Sequence, residues 1–443
     1  MPDTRAPKRR FTLRDLTWTW TPRSAREAGD AVVRNFYLHW FPSKVNKRSV
    51  AATYSFWLGT ISAVLFLLLT LTGVVLMFLY VPSVERAYGS IKDLEYAVSF
   101  GAFLRAVHRI AAHLMVAVVF LHMVRVFLTS AYKNGVMANQ NRPLNWYLGL
   151  VLLLLTLLLS FTGYLLPWDQ LAYWAITVGT NIARAVPLVG EETRFLLLGG
   201  HEINQSTLIR FYVLHCVFLP LILTLIFIWH MWRIHKDGGL ASHDQAALKA
   251  KAEPDEAASA KTYTLMGVSG GTTAAVQSAL VQEDRHLVQS VPNLVVRLLA
   301  VGLLTLAVAG VLAVWLGAPL EEAANPEVTP NPAKAPWYFL WLQELVTITT
   351  VRIGGWTLNG ALMGGVLIPG LLLLWAFLVP TLDRTGPATV AVWFHSRRRT
   401  ANAVFLLICL ALVVLTVVAT FMRGPFWDFY WPWEQWPSHP SRF

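Results

Sequence analysis

The sequence predicts an all-α transmembrane fold: seven spanning helices, a four-helix N-terminal bundle followed by three C-terminal helices, with the N-terminus cytoplasmic. Three observations predict it. The 443 residues are 55% hydrophobic and 14% charged and include 19 Trp, a membrane balance and not a soluble one. Seven apolar runs each come close to the ~20 residues that a bilayer core requires. Most of the 36 Lys and Arg, including the clusters "KRR" at Lys8 to Arg10 and "RRR" at Arg397 to Arg399, fall at run ends and loops on one side, which marks that side as cytoplasmic. The net charge of +11 therefore reports topology and not nucleic-acid binding.

Taken in order, residues 1–51 are basic and aromatic, and "AREAGDAVVRNFYLHWFP" has the spacing of a short amphipathic helix lying on the inner surface. No span lies within the first fifty residues, so no cleavable signal peptide is expected. Residues 52–236 hold four spans, Ala52 to Tyr80, Ala106 to Ala131, Trp146 to Leu166 and Phe211 to Ile234, joined by modest loops. Residues 237–291, rich in Ala, Ser, Gly and charge, cannot bury enough apolar surface to fold alone and read as a cytoplasmic linker. Residues 292–422 hold three more spans, Leu294 to Leu316, Leu358 to Val379 and Asn402 to Phe421, with an outer loop from Ala318 to Trp356. The tail, 423–443, carries "FWDFYWPWEQW" on the outside, either an aromatic belt at the interface or a docking surface. Cys216 and Cys409 sit inside apolar runs, outside any CxxC or CxxCH setting, and read as packed small side chains.

Histidines in the second and fourth spans carry the chemistry. On an α-helix, His108 and His122, fourteen residues apart, point within about 40° of each other and lie roughly 21 Å apart. His215 and His230, fifteen apart, differ by about 60° by the same geometry. The two spans run the same way, so His108 faces His215 near the outside and His122 faces His230 near the inside. Two imidazoles per iron leave no open position, which favours electron transfer, so the pattern predicts two stacked bis-histidine haems. A metal cluster would gather its ligands at one depth and bring in carboxylates, which these spans almost lack. His113 falls about 140° from His108 and reads as an interior polar contact. Gly59 and Gly73 on the first span, and Gly149 and Gly163 on the third, leave gaps at two depths for a flat porphyrin, although such pairs also serve helix packing. Arg105, Arg109 and Arg125 flank the ligands where a guanidinium can meet a haem propionate or anchor the interface.

With these residues in view, the sequence resembles cytochrome b, the haem-carrying subunit of Rieske/cytochrome b complexes. The strings that carry the resemblance are "RAVHRIAAHLMVAVVFLHMVRVFLTSAYK", "GYLLPWDQLAYWA" and "QSTLIRFYVLHCVFLP". It spans most of residues 30 to 240 and, more loosely, 290 to 425. The family's ligands fall on His108, His215, His122 and His230, and the fifteen-residue gap and "PWDQ" are closer to the chloroplast type. The resemblance implies two non-covalent b haems, quinol and quinone as substrates, a Rieske iron-sulfur protein and a c-type cytochrome as partners, and a homodimer within a multisubunit complex of the cell membrane. Trp57 stands where the chloroplast type has a haem-attaching cysteine, so no covalent haem is expected. His235, five after His230, takes the place of an inner-quinone-site histidine and could protonate a reduced quinone, or be a polar helix end.

The outer quinol site of the family reads Pro-Glu-Trp-Tyr. Here it reads Ala335, Pro336, Trp337, Tyr338, and the proton-accepting carboxylate is absent. Glu344, seven residues beyond Trp337 and so on the same helical face, could line the pocket beneath Trp337 and Tyr338 as a substitute, or be a solvated loop charge or salt-bridge partner. The implied activity is oxidation of quinol at the outer site with electron transfer through both haems to an inner quinone. The alternative is a non-bifurcating dihaem anchor that exchanges electrons between the quinone pool and an external dehydrogenase or multihaem cytochrome.

Overall fold

The computed structural model describes residues 44–47, 50–135, 140–237, 239–241 and 287–436. The expected amphipathic surface helix, most of the 237–291 segment and the last seven residues of the tail lie outside these. The chain divides into two compact units, Met1–Thr60 with Gln245–Leu304 and Ile61–Asp244 with Thr305–Phe443. In the first, strand β1 (Lys44–Asn46) pairs antiparallel with β2 (Leu287–Gln289), Val45 opposite Val288.

The helices follow in order: α1 (Leu58–Leu79), α2 (Ala87–Tyr96), α3 (Gly101–Leu128), α4 (Arg142–Leu165), α5 (Gln170–Arg184), α6 (Gly190–Leu198), α7 (Gln205–Lys236), α8 (Ser290–Leu316), α9 (Trp337–Thr349), α10 (Gly360–Leu382) and α11 (Arg399–Phe421). Seven of them, α1, α3, α4, α7, α8, α10 and α11, are long and apolar enough to cross a membrane, which bears out the expected class. Their outward faces carry large apolar side chains such as Leu71, Phe78, Leu225 and Val413, as a helix solvated by lipid requires.

The connections differ from the expected loops. The segments after α1, after α4 and within 318–356 fold into α2, α5, α6 and α9, with a small antiparallel pair β3 (Val351–Ile353) and β4 (Trp356–Leu358). Each short helix buries one stripe. On α5, Ala172, Ile176 and Thr180 face inward at a spacing of four, and the Asp169 side chain caps the helix by accepting the Ala172 N–H at 2.9 Å, a role that carboxylates fill well. Between α2 and α3 the chain turns sharply, with Phe100 at φ 61° and Gly101 so close to the Leu94 carbonyl that a side chain there would collide with it.

Two of the spanning helices contain a π turn: Leu214–Phe218 in α7 and Met363–Leu367 in α10. Each is followed one residue later by a proline, Pro220 or Pro369. Proline has no N–H to give and its ring crowds the carbonyl four residues back, so the wider turn takes up a strain that a regular ladder cannot. The bundle core lies between α1 and α3 at Leu65, Ala111 and Met115 and between α4 and α7 at Leu155, Leu219 and Leu223. A second apolar core joins α3, α4, α10 and α11, with the rings of Phe127 and Phe405 stacked at 3.9 Å.

Candidate functional site

The bundle brings the four histidines together as two facing pairs. The His108 and His215 rings stand 6.3 Å apart, centre to centre. A metal held at about 2 Å from a nitrogen of each ring spaces the two ring centres by roughly 6 Å, so this pair is set at the distance that bis-histidine ligation needs. Both rings line a cavity of about 320 Å³, far beyond the volume that one water takes. His122 and His230 line a second cavity, of about 100 Å³, and their Nδ1 atoms are buried without a hydrogen-bond partner among the described residues.

Hydrogen bonding fixes which nitrogen of the first pair is free to ligate. His215 Nδ1 lies 3.1 Å from the Leu159 carbonyl oxygen, which only accepts, so Nδ1 carries the proton and Nε2 the lone pair. At His108 the partner is a hydroxyl. Thr72 Oγ1 donates its single proton to the Leu68 carbonyl at 2.7 Å, so towards His108 Nδ1, 2.9 Å away, it can only accept. Thr162 repeats the arrangement on α4, donating to Leu158 and standing 3.3 Å from His215 Nδ1. Such partners orient a ligating imidazole and raise its basicity.

The glycines lie against these rings. A Cβ at Gly73 would come within 3.2 Å of His108 Cε1, one at Gly163 would collide with the His215 ring, and one at Gly149 would stand 3.6 Å from His230 Cε1. Gly59 occupies the first turn of α1. Among the arginines, Arg109 lines the larger cavity beside His108. Arg105 lines it too, but is engaged by Glu95 and donates to the Pro319 carbonyl at 3.2 Å. Arg125 and Arg142, each 5% exposed, line the smaller cavity. Both stand where a guanidinium can meet a haem propionate.

Towards the "GYLLPWDQ" end, the larger cavity is walled by Tyr164, Asp169, His113 and Tyr338. Tyr164 also borders a third, apolar cavity of about 270 Å³ against Ala335, Pro336, Phe339 and Gln343. Burial raises the Asp169 carboxyl above its ordinary value, opposed by the N–H bonds it accepts from Ala172 and Glu321 and by the charges of Arg105 and Arg109. Burial also pushes the Tyr338 phenol up to about 12.

Glu344 lines none of these cavities. It is 1% exposed and clamped by Arg423, whose Nε lies 2.9 Å from Oε2 and whose Nη2 lies 2.6 Å from Oε1. The physical reason is helical phase: on α9 the larger cavity is met by Tyr338, six positions back and about 120° away, and the third by Phe339, Leu342 and Gln343. Trp337, on Glu344's own stripe, lines none of these three cavities either; its indole N–H reaches His113 instead. His235 is exposed at the end of α7, while Ile234 and Asp237 face the smaller cavity.

The residues that sequence reasoning missed are Thr72, Thr162, Arg142 and Asn145. The threonines had a signal, the dipeptide Thr-Gly repeated on α1 and α4 at Gly73 and Gly163. Arg142 and Asn145, at the start of α4, had none.

Comparison with known proteins places this geometry. The family model described as cytochrome b/b6/petB matches residues 43–238, and that described as cytochrome b(C-terminal)/b6/petD matches residues 323–430. Cytochrome b6 of Prochlorococcus marinus (strain MIT 9303) is 38% identical over 210 residues, 45% of this chain and 94% of that protein. Cytochrome b6 of Heliomicrobium gestii is 39% identical over 183 residues, 41% of this chain and 83% of that protein. A chain of the structure titled "Hyperthermophilic respiratory Complex III" shares the fold, with a TM-score of 0.67 and 24% identity over 88% of this chain and 90% of that one.

Proposed function

The chain belongs to the cytochrome b family of bc and b6f type, and from that premise we propose that it is the dihaem, quinol-oxidising subunit of a Rieske/cytochrome b complex. It is a multi-pass membrane protein and an oxidoreductase subunit. The finer assignment rests chiefly on one observation, the facing of His108 and His215 at 6.3 Å with Nδ1 of both rings already engaged.

In this proposal His108 and His215 hold an outer b haem, and His122 and His230 an inner one, both non-covalently. Bound there, the two groups supply one-electron transfer between an outer quinol and an inner quinone. The protein's own part is to position and tune. Thr72, Thr162 and the Leu159 carbonyl hold the outer imidazoles in one tautomer. Arg125 and Arg142 neutralise carboxylates at the inner level, and Arg109 does so at the outer one. Gly73, Gly149 and Gly163 keep side chains away from the rings. The quinol ring is received at the end of the larger cavity walled by Tyr164, His113 and Tyr338, beside the apolar cavity against Pro336 and Phe339. His235 serves an inner quinone as proton donor from the end of α7. A Rieske iron-sulfur protein and a c-type cytochrome complete the complex, which is a homodimer, with the N-terminus cytoplasmic.

Pyridine haemochrome analysis of the purified protein should give two b haems and no c-type spectrum, and His122→Ala or His230→Ala should remove the inner one. One haem, or a covalent one, would sink the ligand assignment. The second reading is the non-bifurcating conduit, favoured by Pro336 in the place of the motif's carboxylate and by the commitment of Glu344 to Arg423. Quinol-driven reduction of the outer haem in the full complex separates the two: it is rapid in the first and absent in the second.

A further inference from the structure

A third histidine on α3 belongs to neither pair. His113, on α3, lines the larger cavity together with Tyr338, and its Nδ1 accepts a hydrogen bond from the Trp337 indole N–H at 3.0 Å. Its ring centre lies 5.6 Å from that of Tyr338. Trp337 and Tyr338 are the two aromatic residues of the motif whose carboxylate position is filled by Pro336. The structure therefore sets a titratable side chain directly on the motif that lacks one. We propose that His113 is the proton acceptor for quinol at the outer site, with the Trp337 N–H occupying its lone pair until quinol displaces it. This deepens the proposed function and rests on it.

The neighbouring groups are poorly suited to the task. Among its lining residues the apolar cavity has no carboxylate and no imidazole. Tyr338, its phenol pushed up to about 12 by burial, stays protonated near neutrality, and Glu344 is engaged with Arg423. Arg109, one turn back on α3, and Tyr338 are the charged and titratable groups that face His113, and a guanidinium takes no further proton. Asp169 and Glu321, which also line the larger cavity, are the remaining rivals; both oxygens of Asp169 already accept the Ala172 and Glu321 N–H groups.

The chemistry follows from the tautomer. Indole nitrogen only donates, so Nδ1 of His113 holds the lone pair and Nε2 the proton. When quinol approaches Nδ1 the indole must leave, and Trp337, 43% exposed, can do so without opening the core. The quinol O–H bond then breaks, an N–H bond forms at Nδ1, and the bonding pair stays on the quinol oxygen. The two electrons leave singly to the one-electron acceptors of the proposed reaction, the iron-sulfur partner and the outer haem level, and once the imidazolium has passed its proton to water the second quinol O–H gives its proton to Nδ1 in the same way. Imidazole is the side chain whose ordinary range suits such a transfer near neutral pH.

The test follows quinol-dependent reduction of the outer haem against pH, in membranes carrying the full chain in its complex. The wild type should slow at acid pH, where the histidine base becomes occupied. His113→Gln should be at least tenfold slower and lose that acid limb, with both haem spectra unchanged. Trp337→Phe, which removes the N–H and leaves Nδ1 free, should keep the acid limb that His113→Gln loses. If Trp337→Phe reproduces His113→Gln, His113 merely anchors the indole and the proposal falls. It falls equally if His113→Gln turns over like wild type, or if Asp169→Asn, which still caps α5, or Glu321→Gln is the variant that loses the limb. A wild type that reduces no haem with quinol overturns the proposed function itself, whereas a normal wild type with a normal His113→Gln overturns only this inference.

Discussion

Replacing Glu344 by Gln separates an ion-pair role from a catalytic one. Gln keeps the shape of the side chain and removes its charge from a site where Glu344 is 1% exposed and the Arg423 side chain 15%. Arg423 reaches the two oxygens through contacts of 2.6, 2.9 and 3.2 Å. Removing one partner of a buried pair costs about 3–5 kcal/mol. The loss here should sit near 3 kcal/mol by the same measure, because the amide oxygen still accepts one of the three contacts and Arg423 is partly reachable by water. The pair ties α9 to the chain beyond α11, so the cost should appear as a lower midpoint for thermal loss of the haem spectrum in detergent. Arg423→Gln should cost a similar amount, and the double variant clearly less than the sum of the two, since the singles each strand one charge. Quinol-dependent haem reduction below the transition should change by less than about threefold, whereas loss of a proton acceptor costs about 100-fold or more. An unchanged midpoint with a hundredfold slower reduction would refute the ion-pair account and return Glu344 to the quinol site.

Thr72→Val removes the acceptor at His108 Nδ1, making that ligand less basic, and should raise the midpoint potential of the outer haem in a redox titration while the inner one stays put; equal shifts in both would show that the hydroxyl does not act through its histidine. Gly163→Ala drives a methyl into the His215 ring and should lower haem content, but Gly149→Ala, with ordinary contact at 3.6 Å from His230, should retain it; equal losses would mean the glycines matter for helix packing alone. Asp383 accepts from Tyr132, Lys133 and Arg398 at 2.5, 3.0 and 2.8 Å. Burial pushes its carboxyl up, but the bonds from Thr385, Tyr132 and Lys133 outweigh that and hold it below the usual carboxylate range. A depressed folded value contributes stability above the unfolded pKa of about 3.9 that is lost as pH falls through the folded one. Unfolding midpoints should therefore drop below about pH 4 in the wild type, and that acid dependence should flatten in Asp383→Asn; an unaltered pH profile would place the acid sensitivity elsewhere.

What the sequence made legible follows from periodicity. Seven spans could be read because a bilayer demands length and apolarity in one unbroken run, and the histidine pairs because a fixed angle per residue converts spacing into direction. The short helices between spans were harder, since α5 and α6 carry apolar stripes too brief to stand out beside the spans. Thr72 and Thr162 were hidden for another reason. A threonine in an apolar helix ordinarily satisfies itself on the carbonyl four residues back, and both of these do so; only packing shows that the same oxygens also meet a histidine on another helix. Glu344 was misplaced by one assumption, that Trp337 faces the cavity. Once Tyr338 takes that face, Glu344 turns to α11 by helical phase alone.

The unequal histidine spacings have the same kind of explanation. Fourteen residues of regular helix bring His108 and His122 to within about 40° of each other, but fifteen would carry His215 and His230 to about 60° in the opposite sense. Two helices with those phases could not present matched pairs at both levels. The π turn at Leu214–Phe218 contains His215 itself and takes up one residue, since each of its hydrogen bonds spans five positions where an α-helix spans four. Fifteen residues on α7 then turn through about the angle that fourteen do on α3. Pro220 makes this stable: without an N–H, and with a ring that crowds the carbonyl of Cys216, it opposes the regular ladder at the place where the extra residue must be absorbed. An apparent irregularity in spacing, a proline in the middle of a span and a widened turn are therefore one device, and its result is that His215 points at His108.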